Sequence, residues 1–132
     1  MKRGFTLIEL MVVITVMGII LAFAIPNFNS RGKKFDSNYK NIRDKLVLSR
    51  QTAITKNQTV TVDLGNTYVK SGNDSLALYN GITLTATSGG SGLSSIDFDP
   101  SGAINNAATL EITGMGKTDT IFVTISGYVL SR

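Results

Sequence analysis

The chain has 132 residues, with 13 Lys or Arg against 9 Asp or Glu, a formal charge of +4, and no Cys, His or Trp. That length suits one domain. Without Cys or His, disulfide scaffolds, thiol nucleophiles, His general bases and most zinc sites are excluded. A Ser/Asp or carboxylate-pair enzyme stays formally open, although acid–base chemistry near neutral pH usually recruits His.

Charge is segregated along the chain. Residues 31–56 carry Arg31, Lys33, Lys34, Lys40, Arg43, Lys45, Arg50 and Lys56 against Asp36 and Asp44, a local +6. Residues 57–132 carry Lys70, Lys117 and Arg132 against Asp63, Asp74, Asp97, Asp99, Glu111 and Asp119, a local −3. Such asymmetry fits a bipolar module that stacks on copies of itself, or a solvated basic helix followed by an acidic domain.

The first predicted element is Phe5–Ile25, an apolar run with Glu9 as its only charge. As a helix it measures about 32 Å, enough to cross a hydrocarbon core of about 30 Å. Lys2 and Arg3 precede it and Arg31, Lys33 and Lys34 follow, so the positive-inside rule gives no orientation. An ordinary cleaved signal peptide competes, with Ala22-Phe23-Ala24 as its small-x-small cleavage site. Two features favour a retained anchor. The run exceeds the usual ~7–15-residue signal core, and a carboxylate inside it asks for a partner, since burying it unpaired costs a few kcal/mol.

Phe35, Tyr39, Ile42, Leu46, Ser49 and Ala53 recur at helical spacing, and Val47 and Ile54 widen the stripe. The helix is expected to continue from Phe5 to Lys56, about 78 Å if unbroken. Pro26 and the Ser30-Arg31-Gly32 segment are its weak points. From Thr59 the composition changes, and ten of the 13 glycines lie at or after Gly65. Short β-prone runs are predicted at Thr59–Leu64, Thr67–Lys70, Ile82–Ala86, Ser95–Phe98, Thr109–Ile112, Thr120–Ile125 and Tyr128–Leu130, in antiparallel meanders. Ser88–Gly92 reads as a flexible loop tip. The fold class is α+β: a long N-terminal helix, its apolar first half protruding and its amphipathic second half packed on an antiparallel sheet. The divisions are 1–4, 5–29 and 30–132, the last comprising helix 30–57 and β domain 58–132.

Asp97-x-Asp99-x-Ser101-Gly102 matches the first half of an EF-hand loop, with alternating oxygen ligands before a glycine. Pro100 interrupts it and Ala108 stands where the bidentate Glu belongs, so Asp97, Asp99 and Ser101 are weak calcium candidates beside an Asx/Pro/Gly turn. No cofactor is otherwise expected. No glycine-rich phosphate loop opens a helix.

Gly4-Phe5-Thr6-Leu7-Ile8-Glu9-Leu10 resembles the class III signal of type IV pilins and pseudopilins. The resemblance implies that Met1–Gly4 is a leader cut between Gly4 and Phe5 by prepilin peptidase. It further implies that Phe5 is N-methylated, that Glu9 pairs with the Phe5 amine, within the chain or, as family precedent favours, of a neighbouring subunit, and that Pro26 kinks the helix. Leu48-Ser49-Arg50-Gln51-Thr52-Ala53-Ile54, Phe98-Asp99-Pro100-Ser101-Gly102 and Phe122-Val123-Thr124-Ile125-Ser126-Gly127 resemble the GspH/FimT branch, the minor pilins and pseudopilins. FimT-like members often follow the closing Gly with an Arg-x-Arg pair implicated in DNA uptake. Here Tyr128-Val129-Leu130 follows Gly127, leaving Arg132, Arg31, Lys33 and Lys34 as weak nucleic-acid candidates.

The function expected is a non-enzymatic filament subunit of a type IV pilus or secretion pseudopilus. Its partners are other pilins, the peptidase/methylase and an inner-membrane assembly platform; it resides in the bacterial inner membrane before assembly into a periplasmic or extracellular filament. Two alternatives stand beside it: a tip-located minor pilin that binds DNA or an exported protein, and a secreted β domain released by ordinary signal peptidase.

Overall fold

The structure is a computed structural model that describes residues 6–24 and 30–132. Its elements are α1 (Leu7–Ala24), α2 (Ser30–Lys56), β1 (Val60–Gly65), β2 (Tyr68–Ser71), β3 (Asp74–Ala77), β4 (Ile82–Ser88), β5 (Ser91–Gly92), β6 (Ser95–Phe98), β7 (Ala108–Gly114), β8 (Lys117–Val123) and β9 (Val129–Ser131). The α+β class holds: helix, then antiparallel strands.

α2 follows its sequence pattern closely. Phe35, Ile42, Leu46 and Ala53 are fully buried, Ser49 is buried and Tyr39 is half-buried. Val47 is half-buried, whereas Ile54 stays 44% exposed at the stripe's edge. The helix runs through Gly32, the expected weak point. That glycine costs about 1 kcal/mol of propensity, which the burial of Phe35 one turn later more than offsets. The C-terminus closes as a Schellman motif. Asn57 takes a left-handed φ of 50°, its N–H bonds Ile54 O, and Gln58 N–H bonds Ala53 O. A continuous helix from Phe5 to Lys56 cannot be followed, because residues 25–29, Pro26 among them, lie outside the described residues.

The strands form two sheets where one was expected: a four-stranded sheet ordered β3-β2-β1-β6 and a five-stranded sheet ordered β5-β4-β7-β8-β9. They meet where β1 comes alongside β4. There Leu64 N–H turns to Ser94 O (2.7 Å) and Leu84 N–H to Asn66 O (2.9 Å), so loop carbonyls interrupt the ladder. α2 packs across both sheets, against β1, β2 and β6 of one and β8 and β9 of the other. Val62, Val69, Ile96 and Phe98 meet it from the first; Leu110, Ile112, Ile121 and Val123 complete the core from the second.

Ser88–Gly92 is not a loose tip. Gly89 and Gly90, both at positive φ, make the two-residue turn between Ser88 and its β5 partner Ser91. β3 is not among the predicted strands and has no local strand signal, because Asp74-Ser75-Leu76-Ala77 lacks β-branched and aromatic residues. Pairing with β2 across the Gly72-Asn73 turn creates it.

Candidate functional site

α1 is apolar all round, yet every described side chain from Leu7 to Ile20 is exposed. A helix of that kind is ordinarily buried in a large core or in lipid. Among the described residues no helix is long and apolar enough to cross a membrane. α1 itself has 18 residues, about 27 Å, and both ends of the expected span, Phe5 and Ile25, lie outside the described residues, as does Gly4.

Glu9 occupies the third helical position. Thr6 O accepts N–H bonds from Glu9 (3.1 Å) and Leu10 (3.2 Å), and Thr6 Oγ1 accepts from Glu9 N–H at 3.4 Å. Thr6-Leu7-Ile8-Glu9 is thus the S/T-x-x-E pattern of a capping box. That signal is present in the sequence, inside the apolar run. A carboxylate in the first turn also meets the positive end of the helix dipole. The exposed Glu9 therefore has a local role before any neighbour arrives. Its expected partner, the Phe5 amine, is not among the described residues.

In the domain the three GspH/FimT-like signatures converge on Arg50. Its Nε donates to Gly102 O at 3.1 Å and its Nη2 to Ser126 O at 3.5 Å, while the guanidinium stacks on the Tyr128 ring 4.5 Å from the centroid. Gly127 takes a φ of 73°, and a Cβ there would overlap the Gly102 carbonyl. The helix end, the Phe98–Gly102 turn and the closing glycine thus form one junction that fastens β9 to α2. Local patterns place each piece; only the tertiary fold brings them together.

The calcium candidates separate into two structural roles. Asp97 accepts a 2.6 Å bond from Thr61 Oγ1 on the neighbouring strand. Asp99 Oδ1 accepts from Ser101 N (2.8 Å), Ser101 Oγ (2.6 Å) and Ala103 N (3.0 Å), an Asx turn that occupies the oxygen a cation would need. Those bonds, the Ser101 hydroxyl first, hold the Asp99 carboxyl below the ordinary aspartate value. Among the described residues no three acidic side chains gather into a metal site.

The nucleic-acid candidates stand on different elements. Arg31, Lys33 and Lys34 lie in the first turns of α2, with the Lys34 ammonium 5.6 Å from the centroid of the Tyr79 ring; Arg132 follows β9, where its N–H bonds Thr120 O. Lys45 spends its charge on Asp74 and Lys117 on Asp36. The two grooves between α2 and the β2–β3 turn are lined by Lys45 and Lys56 and by none of these candidates.

Comparison with known proteins agrees with this geometry. Residues 1–25 match the prokaryotic N-terminal methylation motif, and residues 40–127 match the type II transport protein GspH family. The type IV major fimbrial protein FimA of Dichelobacter nodosus is 59% identical over 29 residues, 22% of this chain and only 18% of that relative's length. The minor pilin FimU of Pseudomonas aeruginosa shares the fold with a TM-score of 0.68 at 12% identity, over 80% of this chain and 92% of that one. The minor pseudopilin EpsH of the Vibrio cholerae type 2 secretion system does so with a TM-score of 0.63 at 16% identity, over 75% and 96%. The methylation motif marks a protein anchored in the membrane before it enters a filament. With its family pattern covering well over half of the sequence, the chain belongs to the type II transport protein GspH family, within the type IV pilins and pseudopilins, structural subunits of pili and secretion pseudopili.

Proposed function

We propose that the chain is cut between Gly4 and Phe5, methylated at the new amine, and assembled through α1 into a helical filament. Before assembly it resides in the bacterial inner membrane as a single-pass protein; afterwards it forms part of a periplasmic or extracellular filament. Prepilin peptidase, an assembly platform and other pilins are its partners. The carrying observation is α1: an all-round apolar helix left uncovered beside a domain whose own core is closed. Lipid covers such a helix first, and the same surface packs against its copies once extracted.

Glu9 supplies the register. Inside a packed apolar core either charge of a Glu9–Phe5 amine pair is expensive alone, so misregistered neighbours are disfavoured. Two substitutions separate this role from helix capping. Glu9→Gln keeps the capping-box geometry, since Gln serves at that position, while removing the charge; Glu9→Ala removes both. If the charge directs assembly, both variants insert into membrane and both drop out of filaments, as immunoblots of membrane and sheared-filament fractions would show. Wild-type incorporation of Glu9→Gln would assign Glu9 to capping alone.

A further inference from the structure

Asn80-Gly81 is the one Asn-Gly pair in the sequence, and it lies on the crossing between the two sheets, after β3 and directly before β4. Ile82 N–H donates to Tyr79 O at 3.0 Å, and Gly81 has a φ of 85°, the pattern of a type II turn with glycine third. Both residues are exposed. Among the described residues, neither the Asn80 side-chain amide nor the Gly81 N–H takes part in a hydrogen bond. Nothing approaches within 4 Å of where a Gly81 Cβ would stand.

We propose that Asn80 is a self-modification site that deamidates through a cyclic imide. Hydroxide removes the Gly81 N–H proton; the nitrogen adds to Asn80 Cγ; the tetrahedral adduct expels the side-chain nitrogen, which leaves as ammonia. Water then opens the five-membered ring at either carbonyl, giving an aspartyl or an isoaspartyl residue at position 80. No oxidant or enzyme is required. The reaction is intramolecular, so it gains from holding nucleophile and electrophile four bonds apart in one chain, the spacing that closes a five-membered ring. The absent Cβ at Gly81 removes the steric barrier that every other asparagine in this chain faces from its successor. Asn38 and Asn41 lie inside α2, where the following N–H is engaged in the helix.

The products differ in consequence. Either one adds a carboxylate next to Tyr79, whose ring carries Lys34. The isoaspartyl form also lengthens the backbone by one methylene. Gly81 O packs so closely on Gly114 that a Cβ there would overlap it, and Ile82 pairs with Gly114 at the end of the β4–β7 ladder. An extra backbone carbon at position 80 disturbs that ladder end and the turn bond, so the modification marks a subunit's age at the joint between its sheets.

The test uses the full-length protein in detergent micelles, incubated at neutral and at mildly alkaline pH and read by peptide mass mapping. Isoaspartyl groups are labelled by an isoaspartyl methyltransferase with its methyl donor. The proposal expects the peptide spanning residues 78–82 to exchange NH2 for OH faster than any other asparagine peptide, faster still at alkaline pH, and to take the label. The conservative exposed variant Asn80→Ser should lose the label and the early release of ammonia. An unchanged Asn80 under conditions where another asparagine converts, or ammonia release from Asn80→Ser at the wild-type rate, would overturn it.

Discussion

Asp99 shows how a single carboxylate is committed by its own turn. Its Oδ1 accepts from Ser101 and Ala103, and Asp99 N–H donates back to Ala103 O at 2.9 Å. Since the folded carboxyl is held below its ordinary value, the ionised form is favoured by the fold. Its stabilisation is complete above the unfolded value of about 3.9 and is lost as pH falls through the lowered folded value. Asp99→Asn keeps an acceptor oxygen but cannot titrate. The thermal midpoint of that variant should lie slightly below wild type at neutral pH, with the gap closing on acidification below about pH 4. A gap that widens on acidification would contradict the assignment. This turn was legible in the sequence, because Asp, Pro and Gly carry turn chemistry in their side chains. The left-handed Met115, φ 54° before Gly116, was not, since long apolar side chains seldom adopt that conformation. It makes the turn between β7 and β8 while packing its side chain against the core.

Among elements, α2 was the most legible, because one face repeats at helical period and buries where expected. Lys45 departs from the pattern: it is buried although charged, for Asp74 at the β2–β3 turn reaches it, a partner 29 residues away that no local pattern announces. The two-sheet division was illegible for a similar reason, since strand runs give existence and period but not which edge each strand joins. The Arg50 junction yields a graded prediction. Arg50→Ala removes two carbonyl bonds and the stack on Tyr128, and should cost about 1–3 kcal/mol in chemical denaturation. Gly127→Ala forces a Cβ into the Gly102 carbonyl at a left-handed φ, and should cost at least as much, about 3 kcal/mol. Because both act on one junction, the double variant should lose less than the sum. Full additivity would mean that the two residues act independently.

On the scale of the whole molecule, the chain joins a closed α+β domain to a helix whose apolar surface the domain does not cover. The N-terminal motif announced that division in the sequence, because Gly, an aromatic and a buried-type Glu in fixed order are unusual in any other setting. The charge segregation was equally visible, but its meaning was not. The fold spends part of the basic helix internally, through Lys45–Asp74 and the Arg50 junction, so less positive charge is left for a partner than the count of +6 suggests. The central claim is that the chain is processed as a filament subunit, and the mature N-terminus decides it. Mass spectrometry of the protein recovered from membranes should find a chain that begins at N-methylated Phe5, and Gly4→Asp should accumulate with its first four residues attached. A mature chain beginning at Ile25, or unaltered processing of Gly4→Asp, would contradict the account.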